Sequence, residues 1–576
     1  MWRVLICGFS YLNLLKNGHA SFLRSSSATA VIPDGGADAD DDGPWVVRVQ
    51  ILKSNSDIEF LQAVDMMDQS FDLWNVNFEE SSVVLLIKDA DEYSSLAGNK
   101  DFSVTLDTAQ TLALANLQTS DYSEETIRGH FSGFPCYRTV EETYAAADLM
   151  VANHPNLATL QIIGQSWEKQ QNASKGYDLR ILKLTNLDKI KMMSGNTKPR
   201  LFLNCAIHAR EYATAELCTR FCEWLVDSYG TNPDVSWILD YHEIHVNHIA
   251  NPDGRKMAEQ GILWRKNTNA NHCSNSNNTN DIGVDLNRNF QFGWEGMTTS
   301  DDDECSASFS GSSPASEPEV SAVQDYLLSI FPIQRNSDLV SKADVDTTSG
   351  IFLDIHSHGG DVLWSWGFTT DDPPNDKELW TLGRKYGFYT GYRPHSGSFS
   401  TVHGSTKDFA YGYLGIPAYT VELGTDFFQD CNTFVHQILP DNLSALLYMA
   451  KVVRTPYKTP AGPESSNVTV IPATNADVGW FVTVTANIDD GRYGTANGFE
   501  PTQMIASAEV YLNFPPWEGG TSIAMSPIDG SFDSEIETVT ATISTVGLTR
   551  GKHWVFVQGT DSDGNIGAVS SSYFDI

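Results

Sequence analysis

The sequence predicts an α/β fold in which a mixed central sheet carries helices on both faces, preceded by a small α+β unit and followed by an all-β sandwich. Between residues 134 and 455, strand-like and helix-like segments alternate, which is typical of a sheet covered by helices. After this block, short segments with alternating apolar residues recur between turn residues, which indicates a sandwich. The length of 576 residues leaves room for about three or four folded units.

The composition is that of a globular protein with a strong acidic bias. Hydrophobic residues make up 41% of the chain, which is enough for a sizeable core. There are 37 Lys and Arg residues against 73 Asp and Glu residues, a formal net charge of −36. Because nucleic-acid binding needs a basic face, we expect no nucleic-acid partner. The bias also disfavours docking on an anionic membrane, and no segment after the N-terminus has the length and apolarity of a membrane span.

The N-terminal residues resemble a targeting segment. Arg3 precedes an apolar run that polar residues interrupt, so residues 1–24 are predicted to be a signal peptide, with an ordinary disordered start as the alternative. Residues 25–44 are small, acidic and punctuated by Gly and Pro, which predicts a linker. We therefore expect a secreted or extracellular protein, or one of the periplasm or a vacuolar lumen.

The first folded unit is predicted at residues 45–128. Apolar residues alternate or run together, as expected for strands, in WVVRVQI, FDLWNVNF and SSVVLLIK. They follow helical spacing in DIEFLQAVDMMDQ. These segments together predict a compact unit of mixed strands and helix.

The long central block is predicted at residues 129–460 and the sandwich at 465–576. RTVEETYAAADLMVANH has the spacing of an amphipathic helix that ends before Pro155. Strand and helix patterns then alternate in YDLRILKLTN, PRLFLNCAI, REYATAELCTRFCEWLVDSYG and YHEIHVNHIANPDG. The sandwich strands are predicted in segments such as GWFVTVTANI, MIASAEVYLNF and HWVFVQGTDSDG.

The chain has eight cysteines, and none forms the CxxC pair of a cysteine zinc site. Cys273 and Cys305 both lie in loops rich in Asn, Ser and Asp. Exposed loop cysteines of a secreted protein are more often paired than free, so we predict a disulfide between them. Cys205, Cys218 and Cys222 have apolar surroundings and are interpreted as core thiols.

The sharpest chemical signal is the segment NCAIHAREYATAEL, where a strand leads into a helix. His208 and Glu211 are three residues apart and would share one face of the first helical turn. One imidazole and one carboxylate on one face make half of a zinc site. The segment LDIHSHGG ends an apolar strand and offers a third ligand, His356, with His358 as a competitor.

A hydrolytic metal site also needs a general base. Glu422 lies near the end of another apolar strand, AYTVELG, and a buried carboxylate is costly without a partner. Glu422 is therefore a candidate base, and a structural salt bridge is the alternative interpretation.

These elements together resemble the zinc metallocarboxypeptidases of the carboxypeptidase A type. The resemblance covers about residues 134–455 and rests on segments that occur in the family's order, namely HAREYATAE, NPDG, LWRKN, GVDLNRNF, SEPE, DIHSH, GSTKDFAYG and YTVELG. It implies a zinc exopeptidase that releases single residues from the C-termini of peptides or proteins, with one Zn²⁺ ion per chain.

The resemblance implies a role for each matched residue around the metal. His208, Glu211 and His356 would bind the zinc. Asp285 would orient the first of these histidines. Glu422 would remove a proton from the attacking water.

Four further matched residues would hold the substrate. Arg265 would polarise the scissile carbonyl and stabilise the oxyanion. Asn287 and Arg288 would grip the terminal carboxylate, to which a planar guanidinium is suited. Arg210 would contact the substrate further from the cut. Without the resemblance, each arginine is as readily interpreted as a paired or solvated surface charge.

One departure from the family concerns a flexible loop. The family usually carries a tyrosine where this chain has Ser400. Phe399, Tyr411 and Tyr392 are candidates to compensate for the missing hydroxyl. We expect weaker clamping of the substrate but no loss of the metal chemistry.

The second departure concerns substrate choice. In the family, the residue before Asp408 points to the floor of the pocket for the substrate's last side chain, and here it is Lys407. An ammonium group in a pocket is best matched by a carboxylate. We hypothesise a preference for acidic C-terminal residues, and the alternative is that Lys407 turns outward to solvent.

The resemblance extends to the unit at 45–128. In the family, a unit at this place is a pro-domain that covers the catalytic cleft until it is cut. We therefore expect a zymogen and an activating protease, with cleavage between residues 120 and 134, for instance after Arg128. The C-terminal sandwich is interpreted as a stabilising appendage, with adhesion, glycan binding or secretion as alternatives.

Two other functions remain open from the sequence. One is a catalytically impaired pseudo-peptidase that binds peptide C-termini, which Ser400 would favour. The other is a zinc hydrolase of γ-glutamyl bonds in cell-wall peptides, whose acidic product Lys407 would suit.

Overall fold

The computed structural model describes residues 44–576, with gaps at 53–56, 78–79, 108–110, 112–130, 132, 190–196, 274–280, 295–302, 399, 475 and 477. The predicted signal peptide at 1–24, nearly all of the linker at 25–44 and the cleavage site at Arg128 lie outside the described residues.

An antiparallel sheet of four strands, in the order β2-β3-β1-β4, forms the first unit. Its elements are β1 (Trp45–Ile51), α1 (Asp57–Ser70), β2 (Asp72–Asn77), β3 (Ser82–Ile87), α2 (Ala90–Ala97) and β4 (Phe102–Leu106). Alternating apolar side chains of β1 and β3 pack with Phe60 and Val64 of α1 in a core of their own. The first three strands and α1 follow the predicted patterns, whereas β4 was not predicted.

Eight strands form the mixed central sheet, in the order β11-β10-β12-β9-β7-β8-β6-β5. These strands are β5 (Ala158–Gln165), β6 (Asp178–Leu184), β7 (Arg200–Cys205), β8 (Glu243–Asn247), β9 (Ile351–Ser357), β10 (Asp361–Trp364), β11 (Arg393–Ser396) and β12 (Ala418–Leu423). The strands from β12 through β9 and β7 to β8 are parallel, as are β10 and β11, and the remaining pairs are antiparallel.

Helices flank this sheet. They are α3 (Val140–Asn153), α4 (Trp167–Gln171), α5 (Tyr212–Ser228), α6 (Pro233–Tyr241), α7 (Pro252–Ala258), α8 (Pro318–Ile330), α9 (Asp376–Thr390), α10 (Thr406–Phe409), α11 (Cys431–Thr433) and α12 (Leu439–Val452). Thr139 and Glu142 form a capping box that fixes the start of α3. The core between sheet and helices contains no residue of the first unit among the described residues. The two units therefore have separate hydrophobic cores.

Three neighbouring parallel strands, β7, β9 and β12, end at the same edge of the central sheet. Their interiors are apolar, since both faces are covered. Polar side chains are accommodated where such strands end. The chain leaves the sheet there, and its backbone no longer forms hydrogen bonds with the neighbouring strands. This edge positions the candidate site.

Two four-stranded sheets, β13-β14-β18-β17 and β16-β15-β19-β20, form the C-terminal sandwich. The strands are β13 (Glu464–Ile471), β14 (Phe481–Asp489), β15 (Ile505–Leu512), β16 (Ser522–Ala524), β17 (Ser526–Pro527), β18 (Ile536–Ser544), β19 (Lys552–Asp561) and β20 (Ser570–Asp575). Apolar residues at alternate positions fill the space between the sheets, as the predicted period of two requires.

The sandwich packs directly against the central block through side-chain contacts. Trp517 inserts among aromatic rings of the central block, with its ring centre 5.4 Å from that of Trp237. On α9, Arg384 donates a hydrogen bond of 2.9 Å to Glu500 of the sandwich. Asn497 of the sandwich donates to the carbonyl of Pro394 in β11.

Three disulfides are formed within the described part of the chain, and one of them matches the prediction. Cys273 and Cys305 are bonded as expected. The interpretation of Cys205 and Cys218 as core thiols is wrong, because the two are bonded to each other. The same interpretation is correct for Cys222, which is buried and free. The apolar residues around these cysteines in the sequence give no information on whether the end of β7 and the middle of α5 lie close enough for a disulfide.

The third disulfide, between Cys136 and Cys431, was not predicted. It joins the segment that enters the central block to α11. No disulfide of the described residues joins the first unit to the rest of the chain.

The observed architecture confirms the predicted fold class. The strand β5 was not predicted, because its partly exposed residues do not show a clean alternation. Within the described part of the chain, no helix is both long and apolar enough to cross a membrane.

Candidate metal centre and substrate cleft

The segment between β7 and α5 carries two of the candidate ligands. His208 lies in the turn after β7, and Glu211 is the residue before the first helical residue, Tyr212. The Glu211 backbone N–H donates to the carbonyl of His208, which closes the turn. The two side chains therefore meet across a tight turn and not on the first turn of a helix, as the spacing had suggested.

The third candidate, His356, is the penultimate residue of the buried strand β9. His208 Nδ1 lies 2.7 Å from one carboxylate oxygen of Glu211, and His356 Nδ1 lies 3.2 Å from the other. The two Nδ1 atoms are 3.1 Å apart. His208, Glu211 and His356 form the group of potential metal ligands that the described residues offer, and His358 is not part of it.

Two carboxylates orient the imidazoles. His208 Nε2 lies 3.1 Å from Asp285, and His356 Nε2 lies 2.8 Å from Asp354. Each carboxylate favours the tautomer with the proton on Nε2, which leaves both Nδ1 lone pairs directed at the same point. Two lone pairs at this separation repel each other unless a cation lies between them, so the donor set fits a zinc ion.

Charges around the cluster shift the pKa values of its carboxylates. Burial alone would raise the pKa of Glu211, but the imidazoles of His208 and His356 outweigh it and lower that pKa. For Asp285, the nearby guanidinium of Arg265 and the imidazole of His208 overcome burial and hold the pKa well below its usual range. Both groups are therefore carboxylates at neutral pH.

Glu422 lies near the end of β12, in register with His356 on the neighbouring strand. It is half-buried and lines the same cleft as the ligand cluster. Burial raises its pKa above the ordinary range, an effect that the imidazole of His356 opposes and the carboxylate of Glu211 reinforces. No donor among the described residues is hydrogen-bonded to its side chain, so its oxygens face the cleft.

Arg265 and the turn after Asp285 complete the wall beside the cluster. Arg265 donates two hydrogen bonds of 3.0 and 2.8 Å to Asp285, and its Nη1 lies 3.3 Å from His208 Nδ1. Asn287 and Arg288 follow in the 3₁₀ turn Leu286–Arg288, which Asp285 caps. Both side chains are buried and line the cleft.

Lys407 points into the cleft and not to solvent. Its side chain is 2% exposed, on the short helix α10. Its ammonium donates to the hydroxyl of Ser398 at 3.0 Å and lies 3.9 Å from a carboxylate oxygen of Asp408. An added methyl group on Gly367 would meet the ammonium at 2.9 Å, so the absence of a side chain there leaves room for it.

The first unit lines part of the cleft, and Arg210 of the central block contacts that part. Arg210 is 1% exposed and donates two hydrogen bonds, of 2.6 and 2.8 Å, to the carboxylate of Asp72 in β2. Asp68 of α1 accepts a hydrogen bond from the hydroxyl of Ser400. The backbone N–H of Thr401 donates to Asp65 at 3.0 Å.

Two of the three candidates to replace the missing loop tyrosine, Tyr411 and Tyr392, do not line the cleft. The hydroxyl of Tyr411 donates to Asn375. That of Tyr392 accepts hydrogen bonds from Asn442 and the backbone of Gly424. Phe399 lies outside the described residues.

Comparison with known proteins bears directly on this cleft. Residues 143–445 match the family model described as zinc carboxypeptidase, which spans more than half of the chain. The chain belongs to the zinc carboxypeptidase family. The matched region contains all three candidate metal ligands, and the recognition made from the sequence is confirmed.

Individual zinc carboxypeptidases are similar over much of the chain. Carboxypeptidase A1 of Rattus norvegicus is 26% identical over 353 residues, which cover 59% of this chain and 76% of that protein. The zinc carboxypeptidase of Saccharothrix mutabilis subsp. capreolus is 28% identical over 328 residues, 55% of this chain and 68% of that protein. The structure of carboxypeptidase A from Helicoverpa armigera has a TM-score of 0.54 at 20% identity, over 73% of this chain and 99% of that one.

The enzyme class follows from this membership: the protein is a metallocarboxypeptidase, a hydrolase of a family that uses zinc. Several residues that line its cleft, or that hold a residue lining it, were missed from the sequence. Asp354 could have been found from the sequence, because it precedes His356 by two positions on one strand. Residues two apart on a strand lie on the same face. Asp72, Trp74 and Ser398 could not, because they reach the cleft only through the packing of separate segments.

Proposed function

We propose that the chain is a zinc-dependent carboxypeptidase that releases single residues from peptide C-termini and favours acidic ones. The observation that carries the acidic preference is the buried ammonium of Lys407, which faces the cleft. A buried cation is stabilised by an anion that enters beside it. An acidic last side chain supplies that anion, whereas an apolar or basic one leaves Lys407 with only Ser398 and the more distant carboxylate of Asp408.

His208, Glu211 and His356 would hold one zinc ion, which when bound supplies a Lewis acid for the scissile carbonyl and for water. Glu422 would take a proton from the attacking water and pass it to the departing amine. Arg265 would donate hydrogen bonds to the carbonyl oxygen as negative charge develops there. Asp285 holds both His208 and Arg265, so it would position the two groups relative to each other.

Asn287 and Arg288 would bind the terminal carboxylate. Their turn lies next to His356, with the Asn287 amide nitrogen 3.3 Å from His356 Nε2. A guanidinium and an amide so close to the ligand cluster would hold a carboxylate one residue from the reacting carbonyl. This arrangement would restrict cleavage to the last peptide bond.

The Michaelis constant for acidic substrates should depend on pH through Lys407. Burial lowers its pKa below the ordinary value of 10.5; Asp408 and Asp354 oppose this shift, and Arg288 adds to it. The ammonium is present below that lowered pKa and is lost as the pH rises through it. We therefore expect KM for Glu-ending peptides to rise at a pH below 10.5, while KM for Phe-ending peptides does not.

Steady-state kinetics on the two peptides between pH 6 and about pH 10 would measure this difference. Lys407→Gln is the matched control, since it keeps a hydrogen-bonding side chain without a titratable charge. If KM for the Glu-ending peptide stays level, or rises equally in the control, Lys407 does not bind the substrate's last side chain.

The first unit, residues 45–128 by prediction, would act as an inhibitory pro-domain. Asp72, Trp74 and neighbouring residues of β2 line the same cleft as the ligand cluster, which supports this role. The unit has its own core, no disulfide in the described part of the chain holds it, and the Cys136–Cys431 bond lies on the other side of the predicted cut. Cleavage would therefore allow it to leave, and an activating protease is expected.

Asp72→Asn in the full-length chain should loosen this unit. The substitution removes the anion that pairs with Arg210, and a hydrogen bond to a charged group contributes about 1.5–3 kcal/mol. Residual activity without protease should rise about tenfold or more. Asp91→Asn, an equal charge change on the exposed start of α2, is the control and should leave activity unchanged. Equal activity of the Asp72 variant and the parent chain would contradict the inhibitory contact.

Three disulfides favour folding in an oxidising compartment. We therefore propose secretion, or delivery to a comparable lumen, with a signal peptide at 1–24.

A further inference from the structure

Arg210 is built to hold a carboxylate. Its guanidinium is buried, and the ring of Phe427 lies 4.1 Å from its central carbon. Trp74 of the first unit lies against it at 5.9 Å. Both terminal nitrogens donate to the two oxygens of Asp72, in the parallel geometry that arginine and carboxylate prefer.

The partner of Arg210 comes entirely from the first unit. Among the described residues, Asp72 is the carboxylate that forms an ion pair with Arg210, and no residue of the central block does so. Release of the first unit would leave a guanidinium fixed beside Phe427 without its anion. Water would then reach the guanidinium, and a ligand carboxylate could replace it with the same two charge-assisted hydrogen bonds that Asp72 accepts.

The carboxylate of Asp72 lies inside the substrate cleft. It lines the same cavity as His208, Glu211 and Arg265. Burial alone would raise its pKa, but Arg210 outweighs burial and the more distant Arg265 adds to the effect, so the pKa is lowered. Asp72 therefore occupies a position from which an anion feels both arginines.

This position differs from the two sites already assigned to the substrate. Asn287 and Arg288 account for the terminal carboxylate, and Lys407 accounts for the last side chain. Arg210 follows His208 on the loop after β7 and pairs with neither set of groups. An anion at Arg210 must belong to a residue on the other side of the scissile bond.

We propose that Arg210 binds an acidic side chain upstream of the scissile bond, so that the processed enzyme is suited to peptides that end in several acidic residues. Asp72 is the chain's own stand-in for that side chain. This inference rests on the proposed carboxypeptidase function and names its substrate class. A competing possibility is that Arg210 only donates to a backbone carbonyl, which would make no distinction between Glu and Gln.

The test uses full-length protein treated with trypsin and separated from the first unit. Peptides share one last residue and carry Glu or Gln at each of the three positions before it. At one position, kcat/KM should be about 10- to 100-fold higher for Glu than for Gln, as expected for a bidentate charged hydrogen bond. In Arg210→Gln this ratio should fall to about one, whatever the absolute rates.

Arg550→Gln is the matched control, because it removes an equal charge from an exposed site on the sandwich and should keep the ratio. A ratio near one at all three positions, or one that survives in Arg210→Gln, would overturn the proposal. The last residue is varied in a separate series with Gln upstream, so a wrong assignment of Lys407 is distinguishable from a wrong assignment of Arg210.

Calorimetric binding of the same peptides to the Glu422→Gln variant gives the comparison without turnover. Tighter binding of the Glu peptides, abolished by the added Arg210→Gln change, is the expected result. Equal affinities would count against Arg210 even if no peptide is hydrolysed.

Discussion

Glu422→Gln should lower kcat of the trypsin-treated enzyme by about 10²- to 10⁴-fold, with little change in KM. Glutamine has nearly the same shape as glutamate but cannot accept the proton of the attacking water. Glu422 faces the cleft beside His356, and its carboxylate has no hydrogen-bond donor among the described residues, so the substitution leaves no buried group unpaired. The loss should therefore be one of chemistry and not of folding.

Rates on one peptide, together with the melting temperature and zinc content of each protein, would measure this effect. Glu259→Gln is a control of the same chemistry at the end of α7, away from the cleft, where the carboxylate accepts from Val140. It should keep its catalytic rate even if stability falls. A Glu422 variant with full activity would show that another group is the base, and an inactive parent protein would favour the pseudo-peptidase.

Lys407→Leu should exchange the preference for the last residue. A Glu side chain that enters the pocket would then be buried without its cation, and removing one partner of a buried charge pair costs about 2–5 kcal/mol. The rate constant kcat/KM for Glu-ending peptides should fall about 30-fold or more. Phe-ending peptides should gain, since the pocket floor becomes apolar and no ammonium is desolvated.

Lys407→Gln separates charge from shape in this experiment. It should also lose the preference for Glu, but it should not gain the preference for Phe, because its amide can still bond to Ser398. Unchanged selectivity in both variants would contradict the assignment of Lys407 to the pocket floor.

The negative net charge of the chain would repel an acidic substrate only at long range. The net charge of −36 belongs to the whole sequence. The central block lines the cleft with the cations Arg265, Arg288 and Lys407 and with the carboxylates Glu211 and Glu422, and Arg210 contacts the lining residue Phe427. Charges within a few ångströms dominate once the substrate is bound, because exposed charges further than about 10 Å are screened by salt.

Much of this architecture could be predicted from the sequence. The strands β1, β6 and β7 and the helices α1 and α3 follow local apolar periodicity, which depends only on neighbouring residues. The grouping of the three candidate ligands was also predictable, since His208 and Glu211 are three residues apart in sequence and His356 lies near the end of an apolar strand. The turn that joins the first two ligands differs from the predicted helical face, because the helix starts after Glu211.

Contacts between distant segments could not be predicted. Asp72 meets Arg210 across 138 residues, and Cys136 meets Cys431 across 295. Such pairs depend on how separately folded segments pack against each other, and the spacing of residues within one segment gives no information on that packing. The orientation of Lys407 was open for the same reason, since Ser398 and Gly367 that surround it come from separate loops.

The measurement that tests the account most directly is kcat/KM of the trypsin-treated enzyme on three peptides that differ only in their last residue, Glu, Phe or Lys. The account predicts release of one residue from each substrate that is cut, zinc bound to the protein, and the highest kcat/KM for Glu. A higher value for Phe or Lys would contradict the role given to Lys407.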